Sequence, residues 1–174
     1  MPRLIRHEHG PAPSVRALDA NAAFTADGAL ALRYHLAGEH LAIPAAAAPQ
    51  RVEGLWRHTC FEVFIMGDDA PAYREFNFSP SGAWQTYAFQ AYRQGGPLAP
   101  ARAPHIVRDA EAAALRLDVL LPAAQLPPGT HLRLGLSAVI ESSEGGLSYW
   151  ALRHPPGRPD FHHSNCFALE LVRP

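Results

Sequence analysis

Two carboxyl groups and one amide stand out in the stretch 55–93, LWRHTCFEVFIMGDDAPAYREFNFSPSGAWQTYAFQAYR. Glu62 is the lone charge in a run that is apolar almost throughout, while Glu75 and Asn77 alternate with Phe76 and Phe78. If the two segments pair as a hairpin, Glu62, Glu75 and Asn77 face one way. They can then share the hydroxyls of one ligand, with Arg93 as counter-charge. The bland alternative for Glu62 is a buried ion pair or a hydrogen bond to a neighbouring strand, since a buried carboxylate without a partner is too costly to keep. A pair of carboxyls could also run glycoside chemistry if they stand about 5 to 9.5 Å apart.

Trp56 and Trp150 sit beside Arg or His. An indole in such a place can stack on the C–H face of a ring-shaped ligand and keep its N–H free to bond. The competing reading makes both of them caps on the core. The segment RHPPGRPDFHH at 153–163 is the other dense stretch, stiffened by three prolines. Arg153 and His154 at its start complete the candidate binding set. His154, Asp160, His162 and His163 could offer imidazole and carboxylate to a metal, but their spacing fits no zinc signature, and no metal is expected. A structurally pinned loop, with Asp160 accepting turn N–H groups and Arg158 reaching an acidic partner, is the alternative. Met66 and a histidine could form a haem axial pair; a CxxCH attachment motif is absent, and packing is the simpler role for Met66. Nothing ties a serine nucleophile to a base: there is no GxSxG elbow, HExxH helix or phosphate-cradling glycine loop.

These groups need strands to hold them. Residues 60–66 alternate Phe61, Val63 and Ile65 against Cys60, Glu62 and Phe64, and 73–79 and 83–92 continue a run of three antiparallel strands, with Pro80-Ser81-Gly82 as a tight turn. Residues 29–36, 114–121 and 131–141 each place leucines on one face, 166–172 puts Phe167, Leu169 and Leu171 together, and 15–24 is a weaker candidate. Helix signals are thin: residues 122–126 make one turn before Pro127-Pro128-Gly129. Many short strands at steady spacing predict an all-β fold, an antiparallel sandwich of roughly ten strands and jelly-roll-like.

The chain has 174 residues, which suits one domain over 1–174. Its formal net charge of -1 gives no pull toward nucleic acid or an anionic membrane. All basic residues are Arg, a compositional habit with no functional reading attached. No secretory signal pattern opens the sequence and no run approaches a membrane span, so a cytoplasmic location is expected. In that compartment Cys60 and Cys166 are expected as free buried thiols.

LWRHTCFEVFI, YREFNFSPSGAWQTYAF, YRQG and YWALRHPPGRPDFHHSNCFALEL together resemble the bacterial DOMON-like domain proteins, grouped with the family 9 carbohydrate-binding modules in one β-sandwich superfamily. The resemblance implies a ligand-binding sandwich, with sugars bound in some members and haem in some cytochrome members. It also implies binding without turnover, with Trp56 and Trp150 at the ring positions. Some relatives look like appendages of a cell-wall reductase acting on UDP-N-acetylenolpyruvoylglucosamine, which suggests a cell-wall connection. The resulting expectation is a small-molecule ligand, most simply a sugar or sugar derivative, with no cofactor. A structural or protein-interaction module is the competing class, and its marks would be an exposed sheet edge or apolar patch.

Overall fold

A computed structural model describes residues 1–10, 14–68, 70–99, 102–111 and 113–174. Twelve strands are present among them: β1 (Ile5–Arg6), β2 (Val15–Phe24), β3 (Leu30–Gly38), β4 (Cys60–Met66), β5 (Tyr73–Phe78), β6 (Trp84–Ala91), β7 (Gln94–Pro97), β8 (His105–Glu111), β9 (Ala114–Leu121), β10 (His131–Glu141), β11 (Leu147–Ala151) and β12 (Leu169–Val172). They form two antiparallel sheets, ordered β1-β11-β10-β4-β5-β6-β7 and β2-β3-β9-β8. The eleven-residue β10 has two neighbours on one edge: β12 pairs its first half and β11 its second.

The sheets pack face to face, as the alternation along the chain requires. Phe61, Val63 and Ile65 of β4 and Leu132, Leu134 and Leu136 of β10 meet Leu30, Leu32 and Leu36 of β3 and Leu115, Leu117 and Leu121 of β9 in one apolar core. Each such side chain contributes about 1.5–3 kcal/mol by leaving water. Tyr34 is wholly buried in that core, and its hydroxyl donates to the Glu62 backbone carbonyl at 2.7 Å, so its polar end crosses the sandwich with a partner. The predicted sandwich is therefore the observed fold.

One local reading needs correction, and three strands lie outside the sequence expectations. Residues 166–172 do not form one strand: Ser164–Cys166 is a 3-10 turn and only Leu169–Val172 pairs with β10. Leu169 and Leu171 reach the inter-sheet core, whereas Phe167 joins a separate cluster with Phe64 and Tyr73 on the opposite face of the larger sheet. β8 escaped the sequence reading because it is an edge strand rich in exposed polar side chains, with no clean alternation to betray it. β1 and β7, of two and four residues, are too short to show a period.

Candidate functional site

The face of the larger sheet turned away from the second sheet is unusual in being both polar and buried. Register lays its side chains in rows across β10, β4, β5 and β6. One row reads Ser137, Glu62, Asn77, Gln85, and the next reads Gly135, Phe64, Glu75, Tyr87. A third carries Met66, Tyr73 and Phe89. Directly opposed residues in antiparallel strands point to the same side, so the hairpin brings Glu62, Glu75 and Asn77 together.

Two segments wall this floor. At one end the 3-10 turn Leu55–Arg57 presents Trp56, 40% exposed, with its ring edge against Tyr87 at 5.8 Å. At the other, residues 159–167 fold back over the sheet. Phe167 stacks near-parallel on Phe64 at 6.1 Å, and His162 sets its ring against Phe64 at 5.0 Å and Phe89 at 5.1 Å. Gly135 makes that docking possible, because a β-carbon there would lie 2.9 Å from the Phe167 ring. Between the walls is a cleft of about 580 Å³ lined by Trp56, Glu62, Phe64, Glu75, Tyr87, Phe89, Arg93, Tyr149, Phe161 and His162, among others. That volume suits a small molecule.

The electrostatics follow from burial. Glu62 and Glu75 are 2% and 5% exposed. Burial, reinforced by the neighbouring Glu75 charge, holds the Glu62 carboxyl well above the usual carboxylate range, with a weak 3.5 Å contact from the Ser137 hydroxyl opposing. Burial likewise lifts Glu75 to about 7, although the Asn77 amide donates to its Oε1 at 2.8 Å and Arg93 stands nearby. His162 is pushed down to about 4 by burial and by Arg93, so it is neutral. Its Nε2 lies 3.7 Å from Glu75 Oε2, a contact between uncharged groups between about pH 4 and 7 and too long for a hydrogen bond.

A short network orients that ring. The Arg93 backbone N–H donates to the Tyr73 hydroxyl at 3.0 Å, and Tyr73 stands 2.9 Å from His162 Nδ1. With its oxygen already accepting, the Tyr73 hydroxyl donates a hydrogen bond to Nδ1, which leaves the His162 proton on Nε2, facing Glu75. Asp160 anchors the same segment. Burial would raise its carboxyl, but the Tyr92 hydroxyl at 2.6 Å and the Arg93 guanidinium at 2.8 Å hold it below the usual range.

No family model matches the chain, and no curated protein matches it in sequence. Solved structures do share its fold. A candidate carbohydrate-binding protein from Bacteroides uniformis superposes with a TM-score of 0.65 at 15% identity, covering 90% of this chain and 78% of that one. A family 9 carbohydrate-binding module from Caldicellulosiruptor kristjanssonii, in complex with cellotriose, gives 0.60 at 11%, covering 97% and 82%. A family 9 module from the same organism, in complex with glucose, gives 0.51 at 11%, covering 92% and 80%. The chain has the family 9 carbohydrate-binding-module fold.

Within that fold the candidate residues divide. Trp56, Glu62, Glu75 and Arg93 line the cleft, and Asn77 lies beneath it bonded to Glu75. Trp150 does not reach it: the residue belongs to the inter-sheet core, with its indole N–H donating to the Ser148 hydroxyl at 2.9 Å. Tyr149, one position earlier, takes the outward place. Arg153 is exposed away from the cleft, and His154 turns toward the N-terminal strand, its Nε2 2.7 Å from the Ile5 carbonyl and its ring edge-on to His7. Arg93 lines the cleft, yet its ion pair is with Asp160 and not with either glutamate. Asp160 does accept a turn N–H, from His162 at 3.1 Å.

Sequence reasoning left Tyr87, Phe89, Tyr149 and Phe161 out of the site. The signal for Tyr87 and Phe89 was present, since both fall on the parity of β6 that faces Glu75 and Tyr73. Among the described residues no three His, Cys, Asp or Glu side chains gather to hold a metal. Cys60 and Cys166 are free and buried.

Proposed function

We propose that the outer-face cleft binds a sugar or sugar derivative and releases it unchanged. One observation carries this reading: apolar ring walls close over a floor of buried carboxyl and amide groups, the two kinds of surface a pyranose presents in reverse. Trp56, Tyr87 and Phe89 offer faces and edges to C–H groups, while Glu62, Glu75 and the His162 Nε2–H offer partners to hydroxyls. The shared fold with modules solved with cellotriose and with glucose supports the same choice. A DOMON-like relationship, a cell-wall sugar as ligand and a cytoplasmic setting extend the proposal. Binding without turnover extends the same proposal, with Glu62 and Glu75, on adjacent strands of one floor, as partners for ligand hydroxyls.

Calorimetric titration with mono- and disaccharides tests it, beside a Trp56→Ala variant. Saturable heat with one sugar class, lost in the variant, is the expected result. Absence of binding to every neutral, amino and acidic sugar overturns the proposal, and release of a shortened product overturns the non-catalytic part.

A further inference from the structure

We propose that the ligand carries a protonated amine, seated over Glu75 and Glu62 inside the ring-lined cleft, so that the sugar is an amino sugar with a free ammonium group. The inference rests on the sugar-binding reading for the scaffold of the ligand and adds the group that the floor selects.

The floor is rich in acceptors and short of cations. Glu62 has one weak contact from Ser137, Glu75 Oε2 has no bond shorter than 3.7 Å, and Asn77 Oδ1 is wholly buried without a partner. Asn77, beneath the cleft, stands directly across from Glu62 and bonds Glu75 Oε1, so the acceptors a ligand can reach are the oxygens of the two carboxyls. An ammonium brings three donors and no acceptor, which matches such a set better than a hydroxyl does.

Neither cationic neighbour bonds the two carboxyls. Arg93 is held by Asp160, and Arg57 is exposed on the rim. His162 is neutral, and Tyr73 and Tyr87 keep their protons, pushed up by burial. Tyr149 is the remaining titratable group on the cleft wall. With both carboxyls ionised the floor has no cation of its own within bonding distance, among the described residues. In the empty cleft protons fill that role. The incoming ammonium replaces a proton, which leaves to solvent, and the aromatic walls add cation–π attraction.

Titrations with glucosamine, glucose, N-acetylglucosamine and cyclohexylamine, each in two buffers of different ionisation enthalpy at pH 7, test this directly. Glucosamine is expected to bind roughly tenfold tighter than glucose or its N-acetyl form, with proton release, and Glu75→Gln is expected to erase the preference while a thermal melt reports an intact fold. Equal affinity for glucose and glucosamine overturns the amine inference and leaves the sugar reading standing. Binding of cyclohexylamine as tightly as glucosamine, with none of glucose, upholds the amine site and overturns the sugar reading. Silence from all four overturns the amine inference, and the wider sugar panel above decides the sugar reading.

Discussion

His162 Nε2 and Glu75 Oε2 face each other at 3.7 Å as a neutral pair, because burial disfavours the charged form of each more than their mutual attraction favours it. The two titrate in opposite senses, and the protein's stability should carry both signatures.

Glu75 is raised to about 7 in the folded chain, so its stabilising contribution is full below the ordinary carboxylate range and is lost as pH rises through about 7. His162 is depressed to about 4, so its contribution is full above the ordinary imidazole range and is lost as pH falls toward 4. Between about pH 4.5 and 6.5 the slopes oppose. Glu75→Gln should therefore be more stable than the parent at pH 8, by on the order of 1–3 kcal/mol, and should lose stability on acidification more steeply. Urea melts across that range check it; superimposable curves would discard the assignment.

Trp56→Ala and Trp150→Ala should part company. The first removes a half-exposed ring from the cleft wall and should weaken ligand binding with little change in melting temperature. The second opens a cavity between the sheets and removes the donor to the Ser148 hydroxyl, which keeps its bond to the Ile140 carbonyl, with a stability loss of about 3–5 kcal/mol. Denaturant midpoints and titration of the same two variants separate the roles.

Asp160→Asn should loosen the segment that forms the far wall. Arg93 and Tyr92 lose their shared anchor, a part-exposed ion pair with a stability cost on the order of 1 kcal/mol. The larger expected change is local: faster amide hydrogen exchange in residues 159–167, with weaker binding. Unaltered exchange there would show that ring packing alone holds the wall.

Gly135→Val should expel Phe167 from its seat on Phe64. The inserted β-carbon has 2.9 Å to the ring and 3.1 Å to the Cys166 carbonyl, and neither can yield without moving the turn. A loss of about 1–3 kcal/mol is expected from such overpacking, measured by urea unfolding.

Cys60 and Cys166 should resist thiol reagents in the native protein and react in denaturant. Burial pushes the Cys166 thiol up to about 12 and holds the Cys60 thiol well above its usual range, so little thiolate exists to react. Rapid labelling of folded protein would contradict the burial.

Much of this was legible in the sequence wherever one face of a strand is apolar and the other is not. β4, β5 and β10 declare their parity through Glu62, Asn77 and the leucines at 132, 134 and 136, and the shared face of Glu62, Glu75 and Asn77 follows. Trp150 was misread because β11 has large side chains on both faces; only its pairing of Val139 with Tyr149 decides which ring points outward. Arg153, His154 and His162 lie in a proline-rich stretch whose path depends on where Phe161 and Phe167 dock, a tertiary choice with no local code. His162 was in view as a possible metal ligand, and its place beside Glu75 appears only once the chain has folded back.

That fold-back has a temporal side. The carboxyls and amide of the floor are encoded by residues 60–91, whereas the far wall comes from residues 159–167, made some way later in synthesis. A nascent chain that has released only β4 to β6 still lacks β9 and β10, which complete the core and the floor, and the turn that closes the cleft, so it cannot hold a ligand there. Occupancy of the cleft would thus mark a chain translated through its closing turn, and a ligand present during synthesis would favour the docked state over partly made intermediates.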